Sequence, residues 1–278
     1  MNSTSTASER RAPTVLVVAE SDPSGAAGIQ GDLTTLAVIG RYGMAVPTAF
    51  TVPGGRKARA VHALSPRVAA DSIRALVEEM PIDAVKIGML NTAEMARAVA
   101  AALRSYRGPI VVDPVTDRVQ RGRYVDKRLR AVLLDCWIPR ATVVTPNLNA
   151  ASALCGVEVR DLDMMLSAGQ ALHDLGARCV LVKGGGLDGD PVDALVDAQS
   201  FALLWGNRHN LRRTRGGGSA ISTAIAAALA AGRDARSACI EARCRLDRAL
   251  ATDHLIGRGG RALAHHALCV AVPAALGC

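Results

Sequence analysis

Short apolar, β-branched runs alternate along this chain with longer segments whose apolar residues recur every three to four positions. The runs at residues 14–19, 45–51, 84–88, 109–113, 142–145 and 179–183 predict strands. Residues 194–197 and 201–205 predict a hairpin that continues the same sheet. Helical patterns cover residues 29–39, 66–80, 93–106, 126–134, 164–175, 220–231 and 235–251. This alternation points to an α/β fold with a central, mainly parallel sheet covered by helices. No linker, repeat or low-complexity segment divides it. Residues 14–278 therefore read as one domain behind a Ser- and Thr-rich tail over residues 1–13, expected to be disordered.

Composition adds limits. Half of the 278 residues are apolar but only 3% are aromatic, so a large core must be built from Ala, Val, Leu and Ile. The net charge is +8, yet the only lysines are Lys57, Lys86, Lys127 and Lys183. The arginines are scattered along the predicted helices without a basic block or interleaved aromatics, which argues against a nucleic-acid partner. No apolar run approaches the length of a membrane span. The seven cysteines have no metal-ligand spacing and no signal-peptide pattern accompanies them, so thiols in a reducing cytoplasm are expected, with Cys278 an exposed one. The adjacent His265 and His266 point to different faces of a helix and do not make a metal pair.

The chemistry concentrates where predicted strands end. Ser21-Asp22-Pro23-Ser24-Gly25-Ala26-Ala27-Gly28-Ile29-Gln30-Gly31-Asp32 follows the first strand and opens a helix. Such a run lets bare backbone approach a ligand and presents free N–H groups at a helix N-terminus. Arg215-Gly216-Gly217-Gly218-Ser219 does the same before the alanine-rich segment 220–231. Two such elements in one α/β chain suggest a small-molecule phosphotransferase. Glu20 and Asp22 also follow the first strand, Gly88-Met89 the third and Asp113-Pro114 the fourth. Thr145-Pro146-Asn147 and Lys183-Gly184-Gly185-Gly186 follow the fifth and sixth. Ligands of open parallel sheets bind beyond those carboxyl ends, so the convergence predicts a site.

These segments resemble the hydroxymethylpyrimidine/phosphomethylpyrimidine kinases of thiamin synthesis, within the ribokinase-like superfamily. The resemblance runs over about residues 15–268 and is most specific at Ser21 to Asp32 and at Asp83-Ala84-Val85-Lys86-Ile87-Gly88-Met89-Leu90. Val111-Val112-Asp113-Pro114-Val115, Thr145-Pro146-Asn147-Leu148 and Val182-Lys183-Gly184-Gly185 share it, as do the glycine turn and the His265-His266 tail. It implies a three-layer α/β/α ribokinase-like fold and ATP- and Mg²⁺-dependent phosphorylation of hydroxymethylpyrimidine and its monophosphate. It implies a substrate pocket of Asp32, Met89 and the positions held by Glu20 and Pro53. Asn147, Lys183 and Arg243 would bind nucleotide, and Asp113 would sit near the metal and the phosphates. Gly216, Gly217, Gly218 and Ser219 would hold the transferring phosphoryl group. Its partners would be small molecules, and homodimers are common in the superfamily.

Five positions depart from the family's pattern. Ser219 stands where the family has a catalytic cysteine or aspartate, and its alternative role is to cap the following helix. Ala150 replaces the glutamate of an Asn-x-x-Glu motif, Pro53 a substrate-facing glutamine, Glu20 a glycine and Gly186 a histidine. Glu20 either blocks the pyrimidine pocket or pairs with an aminopyrimidine. Altered activity is therefore one expectation, a pyridoxal-type vitamin kinase a second, and a pseudokinase that binds nucleotide or pyrimidine a third. Phosphorylating an alcohol requires loss of a proton, whereas a monophosphate offers an oxygen already anionic. Ser219 is thus expected to cost the first reaction more than the second.

Overall fold

A computed structural model describes residues 11–54, 58–115, 126–208, 214–252, 254–255 and 261–269. The expected N-terminal tail is held sooner than its composition suggests. Arg11 donates two hydrogen bonds to the Asp83 carboxylate, at 2.6 and 2.7 Å. Residues 1–10 and Cys278 lie outside the described residues.

The β-branched runs form strands because both their faces are covered, as a parallel sheet between helical layers requires. All eight residues of β1 (Thr14–Ser21) are buried. Around it one sheet runs in the order β3-β2-β1-β4-β5-β6-β7-β8-β9. These strands are β2 (Tyr42–Val52), β3 (Ala60–Ala63), β4 (Ala84–Ile87), β5 (Ile110–Val112), β6 (Val143–Val144), β7 (Cys179–Lys183), β8 (Val192–Asp197) and β9 (Phe201–Trp205). Strands β2, β1, β4, β5, β6 and β7 are mutually parallel, and β3, β8 and β9 add antiparallel edges.

The period-two alternation of β1 separates two cores. Leu16 and Val18 face the layer of α2 (Pro66–Glu79), α3 (Ala93–Ala102), α4 (Lys127–Val132), α5 (Leu148–Cys155) and α6 (Leu162–Asp174). Val15, Val17 and Ala19 face α7 (Gly217–Ala230) and α8 (Ala235–Ala251), with Leu36 of α1 (Gly28–Val38) in the same cluster. Ten consecutive residues of α7, from Ala220 to Leu229, are buried. Alanine suits that position because α7 packs against the sheet, α1 and α8 at once.

Several elements escape the sequence pattern. Helix α5 is too short to show a periodicity, yet Asn147 caps its start and Gly156, at φ +78°, ends it. The hairpin partner β3 has only four residues. Helix α4 loosens into a π turn over Leu133–Trp137 and a short turn over Ile138–Arg140 that contains Pro139. The predicted third, fourth and fifth strands end earlier than expected, which leaves Gly88, Asp113 and Thr145 just beyond their carboxyl ends.

Candidate active site

The connection from β1 to α1 depends on Gly28. It lies at φ +61°, and a β-carbon there would collide with the Glu20 carbonyl oxygen. This sharp entry turns Asp32, on the second turn of α1, into the interior beneath α7. Asp32 is fully buried. Its carboxylate accepts hydrogen bonds from Lys86 Nζ, Ser219 Oγ and Thr223 Oγ1, each at 2.7 Å. Lys86 Nζ also donates to Ser219 Oγ at 3.0 Å.

Lys86 is the sole charged residue of β4 and is 1% exposed. Gly88 leaves room for its ammonium, since a β-carbon there would stand 3.1 Å from Nζ and 2.7 Å from the Ala19 side chain. Burial alone would favour loss of the Lys86 proton. The carboxylates of Asp32, Asp113 and Glu20 outweigh burial and hold its pKa above the ordinary lysine range.

Above this pair lies the glycine turn. Gly216 has φ +96°, and a β-carbon would strike the carbonyl oxygen of Ala26. The turn therefore passes directly over the β1–α1 loop. Gly216 is the N-cap of α7, and no side chain caps that end. The opening N–H groups of α7 have no acceptor within the helix, which makes the turn an anion cradle. Ser219 sits in the first turn and bonds to Asp32, so the expectation that it caps α7 is corrected. The cap position needs a positive φ that serine rarely adopts.

Around the cradle, Lys183 at the end of β7 donates to Asp113 Oδ1 at 2.8 Å and to the Gly218 carbonyl at 3.3 Å. Asp113 Oδ2 accepts from Ser222 Oγ at 3.2 Å. Arg215 donates to Asp22 at 3.1 Å and so latches the glycine turn to the β1–α1 loop. His265 is half-buried against α1, and burial lowers its pKa, leaving a neutral imidazole at neutral pH.

The other predicted residues are more dispersed. Glu20 is nearly buried at the end of β1, close enough to act on Lys86. Met89 is buried, and its carbonyl accepts from Thr48 Oγ1 at 2.6 Å. Asn147 accepts from the Ala150 N–H at 2.7 Å as the N-cap of α5 and bridges in parallel to Lys183. Ala150 is fully buried. Pro53 is exposed beyond β2, beside residues outside the described set. Arg243 on α8 is buried against Gly206 and ion-paired with Asp193 at 3.2 Å. Asp193 is the cross-strand partner of Lys183 and accepts from the Gly184 N–H at 2.9 Å. Arg243 therefore buttresses the strand that carries Lys183.

Sequence reasoning gave no role to Lys86, Ser222, Thr223 or the Arg215–Asp22 pair. One signal was present: a lysine inside an otherwise apolar strand needs a buried counter-charge.

The cradle fits a phosphate, because the opening N–H groups of α7 have no side-chain cap and the Lys183 ammonium lies beside them. Among the described residues no group of three His, Cys, Asp or Glu side chains could hold a metal ion. A magnesium ion arriving with phosphate ligands would find one carboxylate here, that of Asp113, beside Lys183.

Solved structures share this architecture. A pyridoxal kinase from Bacillus subtilis, solved with ADP, superposes with a TM-score of 0.88 at 29% identity, covering 93% of this chain and 99% of that one. A phosphomethylpyrimidine kinase from Clostridium difficile gives 0.72 at 34% identity, covering 84% of this chain and 97% of that one. The fold is thus that of the ribokinase-like kinases these structures represent. The match over residues 22–263 to the family described as phosphomethylpyrimidine kinase makes the chain a member of that family. A hydroxymethylpyrimidine/phosphomethylpyrimidine kinase of Rhizobium meliloti is 36% identical over 254 residues, 90% of this chain and 96% of its own length. The thiamine biosynthesis bifunctional protein ThiED of Geobacter sulfurreducens is 40% identical over 256 residues, 90% of this chain and 52% of its own. The chain spans about half the length of the bifunctional relatives it matches.

Proposed function

We propose that this chain transfers the γ-phosphoryl group of ATP to hydroxymethylpyrimidine and to its monophosphate, in thiamin biosynthesis. The observation that carries the reading is the uncapped N-terminus of α7, with Lys183 and Asp113 beside it and the Ser219 hydroxyl in its first turn. Phosphoryl transfer depends chiefly on positioning and charge stabilisation, which these groups supply. Lys183 and the N–H groups of Gly217 and Gly218 would hold the phosphates. Asp113 would hold the magnesium ion, which neutralises phosphate charge when bound. Asp32 orients Ser219 toward the acceptor side, and Met89 and Glu20 wall the acceptor space.

The half-buried, hydrogen-bonded setting of Ser219 favours this reading over a pseudokinase. Pyridoxal is a second acceptor to weigh, because the solved pyridoxal kinase superposes over nearly the whole chain. The test is ATP consumption with Mg²⁺ and each acceptor offered separately, using Lys183→Ala to control for contaminating kinases. Turnover with hydroxymethylpyrimidine and its monophosphate, lost in Lys183→Ala, is expected. Turnover with pyridoxal alone would replace the acceptor, and ATP binding without any turnover would leave only a pseudokinase.

A further inference from the structure

We propose that Ser219 and Asp32 form a two-proton relay that lets this site phosphorylate an alcohol without a cysteine or carboxylate facing the acceptor; the inference rests on the functional reading above. A hydroxyl oxygen has one proton to donate and two lone pairs to fill. The Ser219 proton goes to Asp32 Oδ1 at 2.7 Å, and one lone pair takes Lys86 Nζ at 3.0 Å. The second lone pair remains for the acceptor's hydroxyl. Ser219 is partly exposed, in the first turn of the phosphate cradle, whereas Asp32, Lys86 and Thr223 are buried behind it. The network thus has one outlet, and Ser219 is that outlet.

In the reacting complex the acceptor O–H proton passes to Ser219 Oγ while the Ser219 proton passes to the Asp32 carboxylate, which becomes a carboxylic acid. The acceptor oxygen forms a bond to the γ-phosphorus. The bond from that phosphorus to the β–γ bridging oxygen breaks, and ADP leaves with the electron pair. Lys86 keeps its proton throughout. Neutralising Asp32 uncovers the Lys86 charge beneath the cradle just as negative charge moves onto the transferring phosphoryl group. Ser219 is the group that touches the acceptor, and Asp32 is a positioning residue that acts through it. Thr223 stays a fixed donor to Asp32 and keeps the carboxylate aimed. The charged and titratable groups around the relay are Lys86 from β4, His265 against α1, and Asp113 and Glu20 from the ends of β5 and β1.

A monophosphate acceptor attacks through an oxygen already ionised, so it bypasses the relay. The test measures kcat for wild type, Ser219→Ala and Ser219→Cys on hydroxymethylpyrimidine and on its monophosphate, in H₂O and in mixtures with D₂O. Removing the relay should lower kcat on the alcohol about 10²-fold, in the range for loss of general base catalysis. The drop on the monophosphate should be roughly tenfold smaller or less, because that acceptor needs no base. Ser219→Cys, which can itself accept a proton, should recover most of the alcohol reaction. For wild type on the alcohol, the rate should fall along a curved, two-proton line as deuterium replaces hydrogen. Asp32→Asn should show the same acceptor bias; because it leaves Lys86 unpaired, the Ser219 variants decide the question if it does not fold. Equal losses on both acceptors, or a one-proton line, would overturn the relay. Wild-type turnover on the monophosphate alone would also overturn it, and would narrow the functional reading to the monophosphate without removing it. Turnover on neither acceptor would remove that reading and the relay with it.

Discussion

Lys86 illustrates how much a single residue can decide. Its ammonium and the Asp32 carboxylate are both withdrawn from water, and each is tolerated only because the other is 2.7 Å away. Removing one member of such a pair leaves an uncompensated buried charge, which typically costs about 3–5 kcal/mol. Lys86→Met is therefore expected to lower the urea midpoint sharply, and the double variant Lys86→Met/Asp32→Leu to recover much of that loss. Denaturant titration of the three proteins checks this; a double variant as unstable as the single one would show that the pair is not the source. Lysine within the run Ala84-Val85-Lys86-Ile87 is visible as an anomaly in the sequence. Its partner is not, because 54 positions of chain separate Lys86 from Asp32. Ser219 was legible as the end of a glycine turn. Its bond to Asp32 was not, since that contact exists only once α1 and α7 pack together. Arg243 shows a contact that the sequence did not reveal. The resemblance implies nucleotide binding there, and α8 packing sets its guanidinium beside Asp193 and Asp247.

At the scale of elements, the ends of strands and helices carry the chemistry, and short side-chain ties hold them in place. Asp83, just before β4, accepts from Arg11 and from the Thr14 N–H at 2.8 Å at the start of β1. The Arg11 guanidinium is the main reason its pKa falls to about 2. A carboxyl whose folded pKa lies below its unfolded value adds stability above the unfolded pKa and loses it as pH falls through the folded one. The tie should thus be fully present above about pH 4, the ordinary aspartate range, and vanish as pH falls through about 2. Thermal melts of wild type and Asp83→Asn should differ at neutral pH and converge at the acid end of that window. A gap that persists there would assign the effect to packing. The long helices were readable from recurring apolar residues, and β7 from its short apolar run. Helix α5 and strand β3 were not, because eight and four residues are too few to show a period.

For the whole molecule, the carboxyl ends of the parallel strands matter because they lie on one edge of one sheet. That edge brings Glu20, Asp113, Asn147 and Lys183 toward the α7 N-terminus, although they lie far apart in sequence. A ligand that binds only this assembled edge must stabilise the fold. ATP with Mg²⁺ at about a hundredfold over its dissociation constant should add about 2.7 kcal/mol. For a chain of this size that corresponds to a rise in Tm of about 5–10 °C. Lys183→Ala should lose most of that shift in a thermal-melt titration. An unchanged shift would place the nucleotide away from the cradle.

The sequence by itself determined the alternation of strands and helices, the two glycine-rich entries and the family, since each is written in local pattern and residue type. Only the tertiary structure decided which charges meet. It set Asp32 against Lys86 and Ser219, Lys183 against Asp113, and Arg243 against Asp193. The reason is physical: burial makes an unpaired charge too costly, and which partner relieves it depends on where distant elements pack.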